Sequence, residues 1–81
     1  MARGEILTVF SYDIGANRKR RKAAAILEEA ASRVQKSVFE TRMSRNRAEA
    51  VAQRVAALLD PGDSLRVYRS SPELMRAASV L

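Results

Sequence analysis

Strands and helices alternating within one α/β sandwich is the fold class this sequence predicts, and three observations predict it. Apolar residues recur with the two-residue period of a strand and then with the 3.6-residue period of a helix, in the order strand, helix, strand, helix, strand. Turn-forming residues separate these periods at Gly15 and at Asp60-Pro61-Gly62-Asp63. The earliest strand is apolar on both sides, which demands a cover on each. No internal repeat, low-complexity segment or linker interrupts the pattern, so residues 1–81 read as a single domain.

Glu5 to Asp13 carries Ile6, Phe10 and Tyr12 on one face and Leu7 and Val9 on the other. Helices can cover one face, and a partner sheet is the simplest cover for the other. After Gly15, Asn17 has the side chain of an N-cap, and Ala23, Ile26, Leu27, Ala30 and Ala31 recur at helical spacing to about Ser32. The charges of this helix oppose its dipole. Arg18, Lys19, Arg20, Arg21 and Lys22 crowd the positive end while Glu28 and Glu29 sit late, which costs roughly 0.3–1 kcal/mol per charge near a terminus. A docked anion would offset that cost.

Arg33 to Met43 is β-like through Val34, Val38, Phe39 and Thr41, but it holds no Gly, Pro or Asn to mark a turn, so one strand and two strands both fit. Ser37, Phe39, Thr41 and Met43 share one face and Val34 and Val38 the other, and a bend or bulge near Lys36 is compatible with that pattern. Ser44 is a good N-cap for a second helix, striped by Ala48, Val51, Ala52, Val55, Leu58 and Leu59 and stopped by Asp60-Pro61-Gly62-Asp63. Ser64 to Arg69 reads as a strand, Ser70-Ser71-Pro72-Glu73 as a turn, and Leu74 to Leu81 as a helical turn followed by a strand.

Composition narrows the function. A chain of 81 residues removes only about 60% of its unfolded surface on folding, and a second subunit would add to that burial. Hydrophobic residues make up 47% and charged residues 30%, a globular composition. The absence of His and Cys excludes imidazole bases, thiol nucleophiles, disulfides and zinc sites built from those ligands. A net charge of +6 and a pI near 10.8 point to a polyanionic partner, with binding that salt weakens. No apolar tract approaches the roughly 20 residues that span a bilayer, and no basic start precedes a long apolar core near Met1, so the expected location is cytoplasmic. A membrane partner is not expected either, since interfacial helices carry Trp, Phe or several Leu where the first helix here offers mostly Ala.

The opening strand ends on Asp13, a few residues before Arg18 to Lys22, and one acid beside five consecutive cations is the chemistry of a phosphate-binding surface. With His and Cys absent, any catalysis falls to a hard cation held by carboxylate. Asp13 has two readings: a metal ligand, or a strand-end carboxylate that caps the first helix or pairs with Arg18. The basic run likewise reads as a phosphate grip or as a solvated helix face, and its place at a helix N-terminus favours the grip. Arg45, Arg47 and Arg54 extend the track or serve solubility. Tyr12 and Phe39 read more readily as core than as base-stacking platforms. Two Phe, two Tyr and no Trp suit duplex backbone recognition better than threading of single strands.

The strand ending Tyr12-Asp13-Ile14, the basic helix, Arg33-Val34-Gln35-Lys36-Ser37-Val38-Phe39-Glu40, the second helix and Asp63-Ser64-Leu65-Arg66-Val67-Tyr68-Arg69 together resemble the CRISPR-associated protein two family. That family is the small dimeric partner of the CRISPR integrase, and the resemblance runs in order from residue 6 to 69. Val34 to Glu40 is its most specific piece. The resemblance implies an α+β, ferredoxin-like βαββαβ sandwich in which Arg33 to Met43 supplies two middle strands. It also implies a homodimer with sheets packed face to face. The acid matching Asp13 would meet its twin across the dimer axis, where the pair can hold a divalent metal such as Mg2+.

Two functions follow from the resemblance. One is an adaptor for spacer acquisition that holds double-stranded DNA between integrase dimers, with Arg18, Lys19, Arg20, Arg21 and Lys22 on the phosphates. The other is a Mg2+-dependent endonuclease acting on RNA or DNA, with Asp13 as its catalytic metal ligand. Family members commonly add a further C-terminal strand that crosses to the partner subunit or the integrase, and this sequence departs from that pattern in stopping at Leu81.

Overall fold

In the computed structural model, which describes residues 4–70, the period-two run forms strand β1 (Glu5–Asp13) and the first helical stripe forms α1 (Asn17–Ala30). Two strands follow, β2 (Ser32–Gln35) and β3 (Val38–Ser44), then α2 (Arg45–Ala56) and β4 (Ser64–Ser70). The sheet has the order β2-β3-β1-β4, and its pairings are antiparallel. With both helices on one face, this is the ferredoxin-like βαββαβ arrangement. The tail read as a helical turn and strand, Leu74 to Leu81, lies outside the described residues, as do the last residues of the turn before it.

Cross-strand partners share a face, so register sorts the side chains. Phe10 lies opposite Phe39 and Val67, and Tyr12 opposite Leu65. This face meets Ala23 and Leu27 of α1 and Ala48, Val51 and Val55 of α2 in one core cluster, where Phe10, Phe39, Leu27 and Val55 are fully buried. Each such burial contributes about 1.5–3 kcal/mol, which is what holds the helices to the sheet. The opposite face carries Leu7, Val9 and Ser11 of β1, Val38, Glu40 and Arg42 of β3, and Arg66 and Tyr68 of β4. No helix covers it, and Tyr68 is 55% exposed.

Arg33 to Met43 resolves into two strands joined at Lys36-Ser37, with a register shift between Arg33 and Gln35. Ser44 caps α2 by accepting a hydrogen bond from the Arg47 N–H at 3.2 Å. Asn17 does not cap α1. The cap position is Ala16, in extended conformation and with no side-chain hydrogen bond, while the Asn17 carboxamide oxygen accepts from the Arg20 guanidinium one turn on. A guanidinium close by and positively charged outcompetes the backbone N–H groups for that oxygen.

Candidate functional site

The site is built where β1 hands over to α1. Ile14 is 2% exposed and plugs the core, so strand alternation turns the preceding Asp13 outward, to the helix-free side of the sheet. Asp13 is exposed and has no hydrogen bond or ion pair among the described residues. It neither caps α1 nor pairs with Arg18, and its carboxylate faces solvent.

The basic run is divided by helical geometry. Lys19 reaches Asp60 at 2.6 Å, and Arg20 donates to the Ile14 carbonyl at 3.0 Å as well as to Asn17, so both turn toward the body of the protein. Arg18, Arg21 and Lys22 are exposed and have no partner among the described residues. Their i, i+3, i+4 spacing places them on one side of α1, at the end where its free N–H groups and dipole are positive. Helix α1 has no acid in its first turn, so nothing within the helix neutralises this face. On α2, Arg54 lies 3.8 Å from Glu29, which ties it into surface pairing rather than into the basic track.

The loop between β1 and α1 is fixed from the far end of the chain. Asp60-Pro61-Gly62-Asp63 forms a turn with Pro at its second position and Gly62 at φ +91°, closed by the Asp63 N–H donating to the Asp60 carbonyl at 2.9 Å. The Asp63 carboxylate then accepts from the Asp60 N–H at 2.9 Å and from the Gly15 N–H at 3.1 Å. These two backbone bonds, in that order, hold its pKa below the usual carboxylate range, with Lys19 adding a smaller pull in the same direction. Asp63 and Asp60 therefore hold Gly15 and Lys19 in place beside the end of β1. The sequence marks their turn but not their partners across the chain.

Between α1 and the turn joining β2 to β3 lies an open groove of about 370 Å³, lined by Asp13, Arg20, Arg21, Arg33 and Lys36 over Tyr12, Ile14 and Ala24. Tyr12 is buried and stacks on Phe39, with ring centroids 6.3 Å apart, so both aromatics are core residues. Arg33 lies over the Phe39 ring at 5.1 Å and pairs with Glu28 at 3.0 Å. Arg33 and Lys36 are groove residues that residue pattern alone does not single out, because only the hairpin turn brings them opposite α1.

Among the described residues no group of three or more His, Cys, Asp or Glu side chains is placed to hold a metal ion. Asp13 offers the hard oxygen donor that magnesium prefers, and no second described carboxylate stands beside it in the groove. No helix among the described residues is long and apolar enough to cross a membrane.

Comparison with known proteins agrees with this architecture. Residues 6–76 match the family model described as CRISPR associated protein Cas2. A CRISPR-associated endoribonuclease Cas2 of Synechocystis sp. is 40% identical over 63 residues, covering 76% of this chain and 68% of the relative. A CRISPR-associated endonuclease Cas2 of Thermus thermophilus is 39% identical over 66 residues, covering 80% and 73%. The crystal structure of a hypothetical protein from Thermus thermophilus superposes with a TM-score of 0.76 at 38% identity, covering 84% of each chain. Streptococcus pyogenes Cas2 shares the fold with a TM-score of 0.73 at 23% identity, covering 88% of this chain and 93% of that one. With the family model spanning most of the sequence and two relatives at 39–40% identity covered over more than two thirds of their length, this chain belongs to the CRISPR-associated Cas2 family.

Proposed function

We propose that this protein is a cytoplasmic CRISPR adaptation subunit, a homodimer that binds double-stranded DNA and bridges integrase dimers during integration of new spacers. The observation that carries this reading is the unpaired row of Arg18, Arg21 and Lys22 at the N-terminus of α1. Phosphate docking there would offset the unfavourable charge order of the helix and use its free N–H groups. Contacts of this kind position a duplex and read little sequence, as an adaptor requires. Lys19 and Arg20 support the surface by fixing the loop and the α2–β4 turn beneath it.

The test is the salt dependence of duplex binding by fluorescence anisotropy. Replacing Arg18, Arg21 and Lys22 together by Ala is expected to reduce the slope of log K against log salt by about 2.7 per protomer, three phosphate contacts at roughly 0.9 each. A salt-insensitive wild type, or a triple variant with an unchanged slope, would sink the adaptor reading.

A second reading, a Mg2+-dependent endonuclease, is favoured by the nuclease names of the two relatives and by the free carboxylate of Asp13. In that reading Asp13 and its twin from the second protomer would hold the ion. Bound there, Mg2+ would lower the pKa of a coordinated water and neutralise phosphate charge. Labelled RNA and DNA incubated with and without Mg2+ separate the readings. Cleavage that survives Asp13→Ala does not belong to this site, and no cleavage of either nucleic acid leaves the adaptor.

A further inference from the structure

Acids of the described residues divide by face. On the helix side and in the α2–β4 turn each is engaged: Glu28 with Arg33, Glu29 with Arg54, Glu49 with Arg69, Asp60 with Lys19, and Asp63 with two backbone N–H groups. The acids left without a partner among the described residues are Asp13 and Glu40, and both stand on the helix-free face of the sheet. Glu40 sits on β3 opposite Val9, which has Tyr68 on its other side. One pleat along, Ser11 lies between Val38 and Arg66, and Arg66 is exposed and likewise without a partner among the described residues. Glu40 and Arg66 are complementary in charge, but β1 stands between their strands, and within one chain they do not meet.

Stacked sheets pack about 10 Å apart, and a twofold that relates them lies in the plane between them, along the strands or across them. Leu7 and Val9 make β1 the apolar centre of the face. An axis along β1 stacks this strand on its twin and sets β3 of one copy over β4 of the other. An axis across the strands stacks β4 on β4, a strand with no acid, and leaves Arg66 without a counter-charge. We infer that the helix-free face takes a second copy of this chain with the twofold along β1, and that Glu40 of each copy pairs with Arg66 of the partner subunit. The two symmetric pairs flank the apolar stripe and fix the register in which the sheets stack. This pairing presupposes the homodimer proposed above and adds to it the orientation and the residues that set it. Glu40 and Arg66 are exposed on the single chain and neither belongs to its core, so replacing them tests the contact and not the fold.

Charge exchange tests the pairing, read as mass by light scattering at micromolar concentration. Glu40→Arg and Arg66→Glu should each loosen the dimer about tenfold or more and shift the mass toward one chain, since each sets like charges together at two symmetric places. Arg66→Glu is the sharper probe: it lowers the net positive charge of every copy, so general repulsion alone would tighten the dimer. Mixing the two variants in equal amounts should restore the two-chain mass, because one copy then carries Arg at both positions and the other Glu at both. Glu40→Arg and Arg66→Glu combined in a single chain should dimerise as well. Arg42 is the other cation of this face on β3, and Glu40→Arg mixed with Arg42→Glu should not recover. Single variants that keep the wild-type mass, an equal mixture that stays at one chain, or rescue by Arg42→Glu in place of Arg66→Glu overturns the pairing while the homodimer stands. A wild type of one-chain mass overturns both.

Discussion

Asp63 shows how much one side chain can organise. Its carboxylate closes the turn it sits in and anchors Gly15, the residue that follows the Asp13-Ile14 step. Because both backbone bonds favour the ionised form, the unfolded chain takes up the proton more readily than the folded one. The stabilisation is complete above the ordinary carboxylate range and is lost as pH falls through the lowered pKa. Asp63→Asn should therefore lower Tm at neutral pH and flatten the fall of Tm with acidity below about pH 4 relative to wild type. Thermal melts across that range check it, and a variant curve parallel to the wild type would show that the staple is not made in solution. The Asp-Pro-Gly-Asp run declares a turn in the sequence, but Gly15 stands 48 positions away, a distance no local pattern encodes. Asn17 failed as a cap for a related reason: its oxygen had a stronger suitor in Arg20 than the backbone supplied.

At the scale of elements, α1 trades its own stability for its surface. It starts without a side-chain cap and with no acid in its first turn, and its free cations sit where the dipole repels them. Arg18→Glu should stabilise the protein by roughly 0.3–1 kcal/mol at low salt while weakening duplex DNA binding. Denaturation and anisotropy on the same sample check the opposite signs, and a variant that loses in both would mean Arg18 supports the fold. The bounds of β1, the start of α2 and, to within a residue, β4 were legible because apolar period and turn chemistry agreed there. Helix α2 ends at Ala56, short of the Leu58 and Leu59 that the sequence pattern assigns to its stripe, and those two residues follow in a turn closed onto Val55 and Ala56. The hairpin of β2 and β3 was not legible, since its Lys36-Ser37 turn contains none of the residues that favour left-handed backbone. No described non-glycine residue has positive φ, so the tight hairpin turns that match strand twist are not used, and the register shift beside Val34 takes up the mismatch.

The whole molecule presents a sheet face that is apolar at its centre and charged at its flanks, with Val9 between Glu40 and Tyr68. The two-sided apolarity of β1 was readable from its residues, and in the proposed homodimer a second copy covers the side that the helices leave open. Light scattering should return twice the 9.0 kDa chain mass for the wild type, and Val9→Asp should return a lone chain, because an unpaired charge buried in the proposed sheet-to-sheet contact is costly. A wild-type mass of one chain at micromolar concentration would defeat the dimer. The sheet order has one more consequence, for synthesis. The first strand made is flanked by β3 and β4, so one of its two edges waits for the last described strand to leave the ribosome. At about 5–20 residues per second that gap is roughly 3–10 s, during which a nascent apolar strand lies open to misassociation. Chaperone capture of stalled chains ending before Ser64, and release once β4 emerges, is the signature this topology leaves on biogenesis.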